Sequence, residues 1–344
     1  MGHDDPPGLP LGPLQRFLTA AAPGLLTGPL EASLVAGGKS NLTYAVTDGR
    51  RSVIVRRPPL GHVLATAHDM GREHRVMSAL RDTAVPVPQM YAACPDPEVI
   101  GAPFYVMEHV AGTPYRLASE LEALGAQRVR AISERMVDTL VVLHAVDPEA
   151  VGLGDFGRPQ GFLARQVRRW KQQLDASRSR EVPGIDELHA RLTVAEPTEG
   201  PPGIVHGDFR LDNLLVDDDD RVRAVLDWEM ATLGDPLTDV ALLHAYLTMP
   251  AMVDSNAVSD ASLAPGFLTP DETLDRYAAG SGRDLTHLAF HLGLAYFKLA
   301  VILEGIHYRH AHGQTVGAGF DSIGAAVEPL VTQGLRSLRP NQED

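Results

Sequence analysis

Cysteine is almost missing from this 344-residue chain, with Cys94 standing alone. No intramolecular disulfide can form, so a reducing, cytoplasmic setting is expected. Positive charge is also in deficit: 30 Lys and Arg against 44 Asp and Glu give a formal net charge of −14. Nucleic acid is therefore not expected as the main partner, because phosphates call for a cationic surface. An acidic balance would suit a cationic substrate, but it serves plain solubility equally well. No apolar run reaches the roughly 20 residues of a membrane span, so no membrane partner is expected. The opening Met1-Gly2-His3-Asp4-Asp5-Pro6-Pro7 lacks the basic and apolar regions of a signal peptide. Pro6 stands where a myristoylation signal needs Ser or Thr.

What is present is an ordinary globular composition, 44% apolar and 22% charged, long enough for one large or two modest domains. An amphipathic stretch from Leu14 to Ala22 comes first. Leu30 to Val35, Leu42 to Val46 and Ser52 to Arg56 then read as strands broken by Gly37-Gly38 and Asp48-Gly49. Asp48-Gly49 is a hairpin signal. His68 to Leu80 reads as a helix and Ala102 to Val110 as a further strand. After Gly112 the pattern turns helical: Leu117 to Leu143, Phe162 to Ser177, Leu237 to Tyr246, Pro270 to Ala279 and Leu285 to Ala311. Among these lie short apolar strands, Gly203 to Asp208, Asn213 to Val216 and Val222 to Asp227. The acidic run Asp217-Asp218-Asp219-Asp220 between the last two reads as a solvated hairpin turn rather than a metal site. The expected division is residues 1–110 and 111–344.

The chemistry concentrates in His206-Gly207-Asp208-Phe209-Arg210-Leu211-Asp212-Asn213, followed by Leu226-Asp227-Trp228. Phosphoryl transfer needs a group that accepts the attacking hydroxyl's hydrogen bond, oxygen ligands for magnesium, and positive charge on the phosphates. Asp208 sits in a loop between two strands. Asn213 begins the second strand and Asp227 ends the third, so a hairpin would bring their hard oxygen donors to one magnesium ion. The spacing is that of the kinase pattern H-R-D-x-x-x-x-N followed by D-F-G.

With His-Gly-Asp, Asp-Trp and the continuation Gly234-Asp235-Pro236-Leu237-Thr238-Asp239-Val240-Ala241, the chain resembles the aminoglycoside phosphotransferase and choline kinase family. It looks most like the branch found fused to, or encoded beside, acyl-CoA dehydrogenases. Gly37 to Tyr44, Phe104 to Glu108 and Arg165 to Trp170 carry that likeness. The resemblance implies an α+β, protein-kinase-like bilobal fold with a small β-rich N-lobe, a larger helical C-lobe and the nucleotide between them. It implies Asp208 as the base or hydroxyl-orienting carboxylate, His206 as a brace of its loop, and Asn213 and Asp227 as magnesium ligands. Asp235 and Asp239 would cap the next helix or tie down the loop.

On the N-terminal side, Gly37, Gly38, Ser40 and Asn41 would cover the phosphates of ATP (or GTP). Gly38-Lys39-Ser40 is not a P-loop: Ser33 stands where its first glycine belongs, and a strand follows. Val53-Ile54-Val55-Arg56 matches the kinase V-A-I-K strand with arginine in place of lysine, and Glu73 would be its partner. Main-chain groups of Glu108 and Val110 would read the adenine edge.

Arg165, Arg168, Arg169 and Lys171 form a basic helix face, read as solvated, with an anion site for the acceptor as the sharper alternative. His287 with His291, and His307, His310 and His312, read as ordinary helix histidines. The acceptor is expected to be a small hydroxylated molecule: an aminoglycoside or other antibiotic, a hydroxy acid or a hydroxyacyl thioester. A nucleotide-binding module without turnover stays open. A protein kinase is disfavoured, because no A-P-E segment follows Asp227 and Gly234-Asp235-Pro236 replaces a long activation loop.

Overall fold

A computed structural model describes residues 5–35, 41–61, 69–252, 258–313 and 322–339. The chain divides into two compact units. One comprises Met1–Gly112 with Arg223–Ala231, the other Thr113–Val222 with Thr232–Asp344.

The first unit opens with helix α1 (Leu11–Ala21), whose buried Leu11, Leu14 and Leu18 fall on one stripe at i, i+3 and i+7. Strands β1 (Glu31–Leu34), β2 (Leu42–Thr47), β3 (Ser52–Arg57), β4 (Met90–Cys94) and β5 (Phe104–Glu108) form an antiparallel sheet in the order β1-β2-β3-β5-β4. Period-2 burial puts Tyr44, Val46, Val53, Val55 and Val106 into one core with Leu14, Leu18 and Phe104. The Asp48-Gly49 hairpin turns as expected: Gly49 takes φ 82°, and Asp48 Oδ1 accepts the N–H groups of Arg50 and Arg51. Helix α2 (Met70–Leu80) starts at Asp69, whose side chain caps the Arg72 N–H at 3.1 Å. Its buried stripe of Met70, Val76, Met77 and Leu80 includes Glu73.

Arg223–Ala231 is tied into this unit by local bonds. Val225 N–H donates to the Pro86 carbonyl at 2.8 Å, and the Trp228 indole N–H to the Val225 carbonyl at 2.9 Å. The Arg72 guanidinium donates to the Ala231 carbonyl at 3.1 Å.

In the second unit the helix expected over Leu117 to Leu143 is two, α3 (Ala118–Glu122) and α4 (Ala126–His144). Gly125 separates them at φ 85°, a conformation that ends one helix and starts the next. Helix α5 (Phe162–Ser177) has the expected span, and α6 (Ile185–Val194) follows it. Strand β6 (Gly203–Val205) precedes the His206-Gly207-Asp208 segment, a 3-10 turn covers Leu211–Asn213, and β7 (Leu214–Val216) follows. Strand β8 (Val222–Val225) lies at the boundary of the two units, and β9 (Thr232–Gly234) pairs antiparallel with β6 through Ile204 and Leu233. The remaining helices are α7 (Leu237–Thr248), α8 (Pro270–Ser281), α9 (Leu288–Ala311) and α10 (Val327–Ser337).

The acidic run is a turn. Asp217 Oδ1 accepts the N–H groups of Asp219 and Arg221, Asp220 takes φ 62°, and Arg128 of α4 donates to Asp220 at 2.8 Å. Helix α9 corrects the reading that no segment has membrane-span dimensions. Its 24 residues are long and apolar enough to cross a membrane, but 78% of that window is buried, with α5, α6, α7 and α10 packed on it. It also carries buried His291, Lys298 and Glu304, and Glu304 forms an ion pair with Arg180 at 2.7 Å.

Candidate active site: two sets of residues

In the second unit, β6 delivers the chain into His206-Gly207-Asp208. Asp239, in the first turn of α7 and fully buried, accepts the N–H groups of His206 at 2.6 Å and Gly207 at 2.7 Å. From the other side, Lys298 of α9 donates to the Gly207 carbonyl at 2.7 Å, its ammonium 5.5 Å from the Trp170 ring centroid. Gly207 takes φ 83°. His206, also fully buried, accepts the Asp208 N–H on Nδ1 at 3.2 Å. His206 and Asp239, expected as brace and tie-down, both bond main-chain N–H groups of this loop. Asp235 accepts the Leu237 N–H at the start of α7.

Behind Asp239, His144 Nε2 lies at 3.3 Å and His144 Nδ1 meets the Tyr277 hydroxyl at 2.8 Å. Burial pushes the His144 pKa down despite the carboxylate, so the imidazole is neutral, with Nε2–H facing Asp239 and Nδ1 accepting from Tyr277. For Asp239 burial acts upward, but the His144 hydrogen bond and the Gly207 N–H reverse it and hold the carboxyl below its ordinary range.

The Asp208 carboxylate is held at both oxygens. Tyr246 of α7 donates its hydroxyl to Oδ1 at 2.5 Å. Asn213 Nδ2 donates to Oδ2 at 3.1 Å and to the Asp208 carbonyl at 2.8 Å. Asn213 closes the 3-10 turn rather than opening the strand, one residue earlier than expected, because the turn aims its amide back at Asp208. With the amide nitrogen so engaged, Asn213 Oδ1 is the side-chain atom that can accept. Arg210 sits over the Tyr246 ring at 5.2 Å, 3.8 Å from Asp208 Oδ2, and bonds Asp212 at 2.7 Å. Nearby, Met136, Leu243 and Phe267 line a cavity of about 30 Å³ with Arg210, Asp212 and Tyr246. That volume holds a water molecule or two and no substrate.

The first unit holds the second set. Arg56 on β3 reaches two carboxylates: Nη2 lies 2.5 Å from Asp227 Oδ1, and Nε 3.4 Å from Glu73 Oε2. The second contact has ion-pair distance without hydrogen-bond alignment, since Arg56 Nε has no bonded partner. Glu73 is 1% exposed, and it accepts the Tyr105 hydroxyl at 2.9 Å and Asn41 Nδ2 at 3.2 Å. Asn41 Nδ2 also donates to Glu229 at 3.2 Å. Burial raises the Glu73 pKa, opposed by Arg56 and the Tyr105 hydroxyl. Burial pulls the Arg56 pKa down, but Tyr105, Glu73 and Asp227 together leave it above its ordinary value, so the guanidinium stays charged.

Asp227 does not end a strand. It lies two residues past β8, at φ 63°, where the chain enters the 3-10 turn Trp228–Met230. Glu108 ends β5 with its N–H donated to the Gln89 carbonyl at 2.8 Å and its carboxylate accepting the Gln89 N–H, which commits its amide within the sheet. Val110 follows, half-buried. Gly37, Gly38 and Ser40 lie outside the described residues, as does His68, the expected start of α2.

Among the described residues no three His, Cys, Asp or Glu side chains are grouped to hold a metal ion. His291 is 3.1 Å from Asp235 and bonds the His287 carbonyl, so that histidine pair is structural. On α5, Arg165 donates to the carbonyls of Arg158 and Gln160, and Lys171 pairs with Asp175. Sequence reasoning missed Tyr246, Tyr105, Lys298 and His144. Each is an unremarkable position in a helix or strand pattern, and only the tertiary fold carries it to a site residue.

The small antiparallel sheet with its two helices, the helical second unit and the His-Gly-Asp loop define a protein-kinase-like phosphotransferase fold. The sequence profile described as the phosphotransferase enzyme family matches residues 31–291, and the chain belongs to that family. A crystal structure of a candidate aminoglycoside phosphotransferase from Ralstonia eutropha is 33% identical, with a TM-score of 0.82 over 95% of this chain and 97% of that one. A ternary complex of the aminoglycoside phosphotransferase APH(4)-Ia with AMP-PNP and hygromycin B has a TM-score of 0.61 over 96% and 99% of the chains; at 16% identity it supports the fold alone. Acyl-CoA dehydrogenase family member 11 of Gallus gallus is 34% identical over 94% of this chain and 43% of its own length. Family member 10 of Mus musculus is 35% identical over 85% of this chain and 28% of its own length. The chain thus spans less than half of these curated relatives, and the expected branch is the one it falls in.

Proposed function

We propose that this chain transfers the γ-phosphoryl group of magnesium-bound ATP (GTP being the alternative donor) to a hydroxyl of a small molecule. The observation that carries the reading is the Asp208 carboxylate. It is oriented by Tyr246 and Asn213 on a loop whose Gly207 peptide is gripped at its N–H by Asp239 and at its carbonyl by Lys298. Such a carboxylate accepts the hydrogen bond of an acceptor hydroxyl. As the acceptor oxygen bonds to the γ-phosphorus and the bond to the β-bridging oxygen breaks, the hydroxyl proton passes to Asp208. A nucleoside diphosphate leaves, and no phospho-enzyme is needed.

Asn213, through its amide oxygen, and Asp227, through its carboxylate, are proposed to hold magnesium, being of the hard-oxygen type this ion takes alongside phosphate oxygens. The ion would neutralise charge on the transferring group. Arg56 supplies positive charge for the phosphates, with Glu73, Tyr105 and Asn41 fixing its setting. Glu108 and Val110 are proposed for the adenine edge. Catalysis would come from positioning and electrostatics rather than covalent chemistry.

For the acceptor, the acyl-CoA dehydrogenase relatives favour a hydroxy acid or hydroxyacyl-CoA over an antibiotic. A cytoplasmic setting, with neither nucleic acid nor membrane as partner, is proposed with it. The test is magnesium-dependent ATP consumption across hydroxyacyl-CoAs, hydroxy acids, aminoglycosides and macrolides, with Asp208→Ala as control. One acceptor should stimulate turnover, and Asp208→Ala should lose on the order of 100-fold or more. The Arg56–Asp227 contact favours one second reading, a nucleotide-binding module held without turnover. ATP binding with no stimulation by any acceptor would establish that alternative.

A further inference from the structure

Tyr246 lies on α7, away from the catalytic-loop segment in sequence, yet its hydroxyl makes the shortest contact to Asp208 described above, 2.5 Å to Oδ1. The ring cannot swing freely, because the Arg210 guanidinium lies 5.2 Å from its centroid and the side chain is largely enclosed. The opposite oxygen of Asp208 takes the Asn213 amide. Two donors on two oxygens define the carboxylate plane, and each oxygen keeps a lone pair for a third donor. Around the pair stand His206 on the loop itself, Arg210 and Asp212 beyond it, and Lys298 from α9. Burial and the nearby Asp208 charge hold the Tyr246 phenol well above its ordinary pKa, so it is a donor and not a phenolate.

We infer that Tyr246 is a positioning residue for phosphoryl transfer: its hydroxyl sets the orientation in which the Asp208 carboxylate receives the acceptor hydroxyl. It rests on the proposed role of Asp208. Asn213 alone opposes rotation about the Cβ–Cγ bond with one 3.1 Å hydrogen bond, and the shorter bond from Tyr246 on the other oxygen narrows that rotation further. The phenol does so without adding charge. A displaced carboxylate costs rate in proportion to its misplacement, because the hydrogen bond to the attacking oxygen is effective only over a narrow geometry.

The test uses the full chain with Mg·ATP and water as the acceptor, reading phosphate release. Tyr246→Phe keeps the ring and its stacking with Arg210 and deletes only the donor. The expected result is a kcat lower by on the order of 10- to 100-fold with the KM for ATP unchanged. Replacing Tyr246 by 4-aminophenylalanine, which restores a neutral donor at the same place, should recover most of the loss. If Tyr246→Phe matches the wild type while Asp208→Asn is inactive, the inference fails and the role of Asp208 stands. Loss in Tyr246→Phe without rescue by the amine also overturns it, since a neutral donor at that place would then not be what the rate depends on. If neither variant loses activity, the reading of Asp208 itself is wrong.

Discussion

Arg56 occupies a position where a kinase strand carries lysine, and its geometry shows what the larger side chain does. The fork of the guanidinium reaches Asp227 with one nitrogen and approaches Glu73 with another. An ammonium would have to meet both carboxylates from a single nitrogen, without the spread of the guanidinium fork. Glu73 is 1% exposed, so removing its cation leaves a buried carboxylate with only the Tyr105 and Asn41 donors. Arg56→Ala should therefore destabilise the protein by about 3 kcal/mol or more. Arg56→Lys should lose much less, because the charge beside Glu73 is kept. Glu73→Gln should be milder still, since the amide accepts the Tyr105 hydroxyl and carries no charge to desolvate. Urea unfolding of the three variants gives the ranking, and an Arg56→Ala protein as stable as wild type would show that the pair contributes nothing to the fold.

At the scale of elements, the His206-Gly207-Asp208 loop is stable because α7 and α9 hold its backbone. Asp239 accepts two buried N–H groups, and Gly207 takes a left-handed φ of 83° between the two helices' contacts. Asp239→Ala orphans both N–H groups, each at a cost of about 1–3 kcal/mol. Gly207→Ala adds a Cβ in a conformation that disfavours it by about 1–2 kcal/mol. Both should lower the melting temperature and turnover together, and Asp239→Asn should recover part of each. A Gly207→Ala protein with wild-type melting would contradict the strained geometry.

Elements with strong periodicity or capping were legible in the sequence. Helix α5 has the expected span, and α8 starts at Pro270 behind its Thr269–Glu272 capping box. Strand β4 was not legible, because Met90-Tyr91-Ala92-Ala93-Cys94 holds no β-branched residue and carries a register shift after Met90. Helices α6 and α10 were passed over although each buries a stripe at i, i+3 and i+7, at Ile185, Leu188 and Leu192 and at Val327, Leu330 and Gly334. For the candidate site, the spacing of Asp208 to Asn213 was readable, and the structure joins the two directly. Tyr246 was not, since nothing within α7 marks one tyrosine as the partner of a loop aspartate.

Across the molecule, buried and half-buried histidines contribute to how stability responds to acid. Burial lowers the pKa of His74 in the first unit and of His144, His189 and His244 in the second. In the unfolded chain each titrates near about 6.5. Below that pH the unfolded state binds protons that the folded state refuses, so stability falls as pH drops through this value and continues falling toward the lowered folded pKa. Glu73 and Asp212, raised by burial, act in the opposite sense, because the folded state takes up their protons first. A bare pH–melting curve mixes the two signs, and a difference measurement separates them. His144 suits this test, since it is fully enclosed between Asp239 and Tyr277 and Gln can replace both of its hydrogen bonds without titrating. Between about pH 7 and about pH 5.5 the wild type should lose more melting temperature than His144→Gln, so the two curves converge on acidification. Parallel curves would mean that His144 is protonated with equal ease in the folded and unfolded chains, and that the neutral imidazole described for the Asp239 cluster is wrong.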